Sequence, residues 1–258
     1  MSSILLEIKN NIAFITLNRP EKFNSFNREM AIELQKQLDK VNADQSIRCV
    51  YLTGADKAFC AGQDLAEVVD PNGPGMDKIL VEHFNPIISK IRNLQKPVIA
   101  AVNGVAAGAG ANIALCCDVV IATESSSFIQ AFSKIGLVPD SSGTFFLPRL
   151  IGFQKASALM MLGDKVSATD AEKYGMIYKV FSDHIFKEES LKIATTLASM
   201  PTKGLWFTKQ ALNNSLKNNL EQQLQIEDEL QQKAAATLDF KEGVQAFLEK
   251  REPIFKGE

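Results

Sequence analysis

Histidine is nearly missing from this chain: 258 residues carry only His83 and His184. Both stand in polar, helical contexts and read as surface residues, which leaves a Ser-His-Asp triad with little raw material. The four cysteines, Cys49, Cys60, Cys116 and Cys117, form no CxxC pair. With so few histidines, that excludes a zinc quartet and a disulfide framework, and a reducing, cytoplasmic setting fits. A Walker loop and a GxSxG elbow are absent, and Gly108-Ala109-Gly110 lacks the third glycine of a dinucleotide fingerprint. Excess charge is also missing: 28 basic against 30 acidic residues leave a formal charge of −2. Nothing sequence-wide therefore draws nucleic acid or an anionic membrane. The apolar run Ile4-Leu5-Leu6 is too short for a signal-peptide core, and Phe255-Lys256-Gly257-Glu258 is not a peroxisomal address. Residues 98–117 carry no charge and match a bilayer span in length, but Asn103-Gly104, Gly108, Gly110 and Asn112 interrupt them. A strand, a turn and a buried helix explain that stretch better than a membrane span.

What is present is the balance of a globular protein, 46% apolar and 22% charged, long enough to form a core with an appendage. Residues 4–9 and 12–17 are β-branched runs split by Asn10-Asn11, a hairpin pattern. After Asn27, a good N-cap, Met30, Leu34, Leu38 and Val41 fall at helical spacing. Residues 48–53, 98–102 and 119–122 read as buried strands, and their alternation with helical stretches predicts an α/β fold with a mainly parallel sheet. Two charged helical segments, 64–69 and 76–94, flank Pro71-Asn72-Gly73-Pro74-Gly75, a loop placed to cover something. Beyond Phe181 only helices are predicted, over 187–200, 202–217, 220–237 and 239–250. We divide the chain into a core, 1–195, and a helical C-terminal region, 196–258.

Two turns can carry chemistry without a catalytic side chain. Phe59-Cys60-Ala61-Gly62-Gln63-Asp64-Leu65 leads from a strand into a helix, with Asp64 and Glu67 spaced as a capping box. Asn103-Gly104-Val105-Ala106-Ala107-Gly108-Ala109-Gly110-Ala111-Asn112 is a second strand–turn–helix, opening on small residues that let a ligand approach the main chain. Taken alone, each reads equally as a capped turn or close helix packing. Two such turns after parallel strands can aim two N–H groups at one carbonyl oxygen.

Those two segments, together with Pro97-Val98-Ile99-Ala100-Ala101-Val102-Asn103-Gly104, Gly136-Leu137-Val138-Pro139-Asp140-Ser141-Ser142-Gly143-Thr144 and the closing Phe247-Leu248-Glu249-Lys250-Arg251, resemble the enoyl-CoA hydratase/isomerase (crotonase) superfamily from about Ile4 to Phe255. The resemblance implies a crotonase-like ββα superhelix with a helical C-terminal trimerisation region, assembled as a homotrimer or a dimer of trimers. It implies acyl-CoA thioesters as substrates and no separate cofactor, coenzyme A entering with the substrate. It also implies an oxyanion hole of two main-chain amides, mapped onto Ala61 and Ala109. Around them Gly62, Gln63, Asp64, Leu65, Asn112 and Phe132 are expected to bind substrate.

Hydratase members use two glutamates, and the matching positions here are Asn112 and Phe132. Neither moves a proton, so hydration loses its acid/base pair. Asp140 stands where isomerase members carry an acidic residue, which implies a single Asp that shifts a double bond from 3-enoyl-CoA to 2-enoyl-CoA. The other reading of Asp140 is a cap on a helix opening at Ser141. Phe132, Phe128 and Phe145 are candidates for keeping water out, or ordinary core. Local similarity is to members that isomerise the ring 1,2-epoxide of phenylacetyl-CoA, although Ser141-Ser142 departs from the usual small or Gly-containing pair. Three alternatives stay open: a dehalogenase-like member with a histidine base, a non-catalytic acyl-CoA or RNA binder, and a hydratase.

Overall fold

The computed structural model describes residues 2–258. Strands β1 (Ile4–Lys9) and β2 (Ile12–Leu17) pair antiparallel through Asn10 and Asn11, whose φ values of 51° and 61° make the two-residue turn that matches strand twist. Helix α1 (Arg28–Ala43) starts where the Asn27 side chain accepts the Met30 N–H at 3.0 Å, and Met30, Leu34, Leu38 and Val41 form its buried stripe.

The chain then winds through three repeats of strand, strand, helix. First come β3 (Cys49–Gly54) and β4 (Ala58–Cys60), followed by α2 (Leu65–Val68), α3 (Met76–Lys78), a π-helical turn (Ile79–Phe84) and α4 (Asn85–Asn93). Next are β5 (Val98–Val102), β6 (Val105–Ala107) and α5 (Ala109–Leu115). The third repeat has β7 (Val119–Thr123), β8 (Ser127–Ile129), a 3-10 turn (Ala131–Ile135), α6 (Gly143–Ile151) and α7 (Phe153–Leu162). Then β9 (Lys165–Ser167), α8 (Ala168–Lys173) and β10 (Lys179–Phe181) close the core. The first strand of each repeat joins a six-stranded sheet, β1-β2-β3-β5-β7-β10, and the second joins a four-stranded sheet, β4-β6-β8-β9. All neighbours are parallel except β1 with β2 and β8 with β9. This is the ββα superhelix expected. The residues 98–117 resolve into β5, β6 and α5, and among the described residues no helix is long and apolar enough to cross a membrane.

Four helices follow: α9 (Asp183–Ser199), α10 (Thr202–Ser215), α11 (Leu220–Ala235) and α12 (Leu238–Glu249). The division expected at 195/196 falls inside α9, whose Phe186, Ala194 and Ala198 bury against Ile12, Tyr51, Ile99 and Ile121 and so belong to the core. Helix α10 is pinned by Lys209, which is buried, pairs with Asp118 at 2.8 Å and donates to the carbonyls of Ile91 and Lys96. Of the apolar stripe on α11, Leu230 is buried while Leu220 and Leu224 are exposed. Phe247 and Leu248 on α12, and Ile254 after it, are exposed as well.

Candidate active site

Where the β4 strand ends, the chain turns sharply into α2, and the hydrogen bonds of that turn decide which amide is free. The Ala61 N–H donates to the Phe23 carbonyl at 3.0 Å, the Phe26 N–H to Gly62 at 2.7 Å and the Asp64 N–H to Phe26 at 2.8 Å. Gln63, bridged in parallel with Phe26, has no acceptor for its N–H among the described residues. The expectation that Ala61 supplies a donor is therefore corrected by two residues, to Gln63. On the facing turn the Gly108 N–H goes to Ile129 at 2.9 Å, and the Ala109 N–H, first of α5, has no protein acceptor among the described residues. Gly62 brings the two turns together at φ 93°, with a Cβ there falling 3.3 Å from the Ala109 nitrogen.

Gln63 and Ala109 both line a cavity of about 200 Å³. Its walls include Ala61, Gly62, Gln63, Leu65, Gly108, Ala109, Phe132 and Asp140. Val68, Met76 and Ile79 close it from the segment around the Pro/Gly loop, and Ile135, Leu137 and Lys134 from the third repeat. Sequence reasoning named the loop but not these side chains, whose apolar spacing is legible only once the segment is known to lie over a pocket. A larger cleft of about 570 Å³ under α9 shares no residue with this one.

Asp140 is the one carboxylate in the cavity wall. Burial pushes its carboxyl above the ordinary carboxylate value, while the Ser141 hydroxyl, donating to Oδ1 at 2.7 Å, pulls the other way. Asp140 does not cap a helix with its side chain. Helix α6 begins at Gly143 with Ser142 as N-cap, and what the turn uses is the Asp140 carbonyl, which accepts the Gly143 N–H at 2.8 Å.

Two expected substrate contacts fall elsewhere. Asn112 is buried outside the cavity wall: its amide nitrogen donates to the Asp140 carbonyl at 2.8 Å and its oxygen accepts from Gln130 at 2.8 Å. Asp64 accepts the Ala66 N–H at 3.1 Å as the α2 cap and pairs with Arg19 at 3.0 Å. Its expected capping partner Glu67 instead receives the Gln63 side chain at 2.9 Å and the Arg28 N–H at 2.8 Å. Phe132 lines the cavity, Phe128 is core outside it, and Phe145 is part-exposed, stacked under Arg149 at 3.9 Å.

Cys60 and His83 are not available as nucleophile or base. Cys60 is fully buried, and burial pushes its thiol up to about 12. His83, expected at the surface, is completely buried on the π-helical turn beside Arg28, and burial holds its imidazole below the ordinary value. Arg251 is held by Glu242 and Glu249. No cluster of three or more His, Cys, Asp or Glu able to hold a metal occurs among the described residues. The arrangement is a largely apolar chamber with two amide donors, one buried carboxylate and Lys134 in its wall, suited to holding an enolate oxygen while a proton moves.

Comparison with known proteins shows the family. Residues 7–258 match the family described as enoyl-CoA hydratase/isomerase. The chain is 48% identical to 1,2-epoxyphenylacetyl-CoA isomerase of Escherichia coli, covering 100% of this chain and 99% of that protein. It is 42% identical to a probable enoyl-CoA hydratase of Rhodobacter capsulatus, covering 99% and 98%. Among solved structures, the enoyl-CoA hydratase from Bacillus anthracis superposes with a TM-score of 0.92 at 36% identity, covering 99% of this chain and 100% of that one.

Proposed function

The chain belongs to the enoyl-CoA hydratase/isomerase family, and from that premise we propose that it is an acyl-CoA isomerase whose one acid–base group is Asp140. The observation that carries this reading is the cavity wall. It holds two amide donors and the Asp140 carboxylate, whereas Asn112 and Phe132, the positions matching the hydratase glutamates, supply no second carboxylate.

In a 3-enoyl-CoA the C2 proton is acidified by both the thioester and the C3–C4 double bond. Asp140 takes that proton, the electron pair delocalises into the thioester carbonyl, and the resulting dienolate oxygen rests on the Gln63 and Ala109 N–H groups. Asp140 then returns the proton at C4, leaving the conjugated 2-enoyl-CoA. One amide donor of this kind contributes about 2.7–4 kcal/mol, and a positioned base about a hundredfold to ten-thousandfold. Phe132, Ile79 and Leu137 keep the intermediate dry. The similarity to 1,2-epoxyphenylacetyl-CoA isomerase supports the ring 1,2-epoxide of phenylacetyl-CoA as a further substrate.

A panel of 3-hexenoyl-CoA, crotonyl-CoA and the ring epoxide of phenylacetyl-CoA tests the proposal. Turnover of the first or third with little hydration of the second supports it. Dominant hydration of crotonyl-CoA refutes it and gives this chain the activity of the hydratase members of the family.

A further inference from the structure

We propose that Asp140 is readied as a base by two positioning residues, Ser141 acting on its carboxylate and Asn112 acting on its main chain. The inference rests on the reading of Asp140 as the acid–base group.

The two contacts are built in. Ser141 is 2% exposed and gives its hydroxyl proton to Oδ1 of Asp140 at 2.7 Å, the one hydrogen bond that carboxylate receives among the described residues. Ser141 and Ser142 both take left-handed backbone, φ 49° and 64°, a conformation that costs L side chains energy and persists where the surroundings hold it. Enforcement comes from behind the turn. The Asp140 carbonyl, which can only accept, receives both the Gly143 N–H and the Asn112 amide N–H, each at 2.8 Å, and Gln130 donates to the Asn112 oxygen on the other side at 2.8 Å. Asn112 reaches the turn only because residue 143 is glycine: a Cβ there would stand 2.3 Å from its amide nitrogen.

The contacts act on different quantities. The Ser141 bond favours the ionised carboxylate and opposes burial, which favours the acid. Lys134, on the 3-10 turn, is the other charged side chain in the cavity wall, to which α3 contributes the neutral Met76; from α5 the neutral Asn112 meets Asp140 from outside that wall. Asn112 touches no titrating atom, and it sets where the carboxylate stands.

The experiment records kcat and KM for 3-hexenoyl-CoA against pH in the full-length protein. Ser141→Ala and Ser141→Gly are expected to move the acid limb of kcat to higher pH by the same amount and to keep the plateau. Asn112→Ala is expected to lower the plateau, by up to about a hundredfold, with KM and the limb unmoved. Gln130→Met should shift the plateau in the same direction and stands in if Asn112→Ala does not fold. Serine variants that lose rate equally at every pH, or that differ because glycine relieves the backbone, overturn the Ser141 role. Unchanged kcat in the Asn112 and Gln130 variants overturns the other. Asp140→Asn separates the two levels: full activity there removes the base itself, whereas loss there with intact Ser141 and Asn112 variants removes only their positioning roles.

Discussion

Gly62 stands so close to Ala109 that a Cβ on it would lie 3.3 Å from the Ala109 nitrogen and 2.9 Å from the Ala107 oxygen. That approach brings two turns, separated by more than 40 residues of chain, to one cavity. Gly62→Ala adds a methyl group against backbone at φ 93°, which costs about 1–2 kcal/mol of stability and pushes the Gln63 and Ala109 amides apart. We expect kcat for isomerisation to fall about a hundredfold or more, out of proportion to the loss seen in urea melts. A well-folded Gly62→Ala protein with wild-type kcat contradicts the two-amide hole.

Asp140 links activity and stability with opposite signs. Its folded-state pKa is raised by burial, so, with Asp140 as the proposed base, isomerisation is expected to become fast only as pH rises through that value. The folded protein holds the proton more tightly than the unfolded chain. This contribution to stability is full below the unfolded carboxyl value of about 3.9 and is lost as pH rises through the folded value. Asn at 140 is neutral in both states. Thermal melts are expected to place Asp140→Asn at or above wild type at neutral pH, with no such gain below the unfolded value. A clearly lower neutral-pH Tm contradicts the buried-charge account.

Introducing glutamate at both positions is expected not to make a hydratase. Asn112 is occupied in holding the Asp140 carbonyl and packs against Gly143, so Asn112→Glu removes a donor and buries an unpaired carboxylate, a cost of several kcal/mol unless it takes up a proton. The Asn112→Glu, Phe132→Glu double variant is expected to lose isomerisation and to hydrate crotonyl-CoA only at trace rates. Efficient hydration by that variant contradicts the positioning role of Asn112.

Leu220, Leu224, Phe247 and Leu248 on the C-terminal helices, and Ile254 after them, are large apolar side chains left exposed on this chain, the kind of surface that subunit contacts cover. We expect a trimer or a dimer of trimers covering it, read by multi-angle light scattering at micromolar concentration. A stable monomer contradicts that assembly.

The long elements were legible because their periodicities reflect burial. Strand β5 is apolar at every position because both faces are covered, and α1 shows its stripe at the spacing its core requires. The strands of the second sheet were not, because three residues are too few to show a period. Within the site, the mapping onto Ala109 rests on the same turn the structure shows, whereas the mapping onto Ala61 does not survive. Which amide of Cys-Ala-Gly-Gln is free depends on Phe23 and Phe26, more than 30 residues earlier, and no local pattern encodes that pairing. For the same reason Asn112 reads as a cavity residue until Gln130 and the Asp140 carbonyl are seen on either side of it. His83 reads as surface because its neighbours Glu82 and Asn85 are polar, yet the π-helical turn rotates it inward.

The central claim is that Asp140 alone moves the proton, and the measurement that tests it most directly is turnover of 3-hexenoyl-CoA by Asp140→Asn beside wild type, with acyl-CoA binding measured on the same samples. The account predicts retained binding and a rate at least about a hundredfold lower. Wild-type turnover in a folded, substrate-binding Asp140→Asn protein would contradict it.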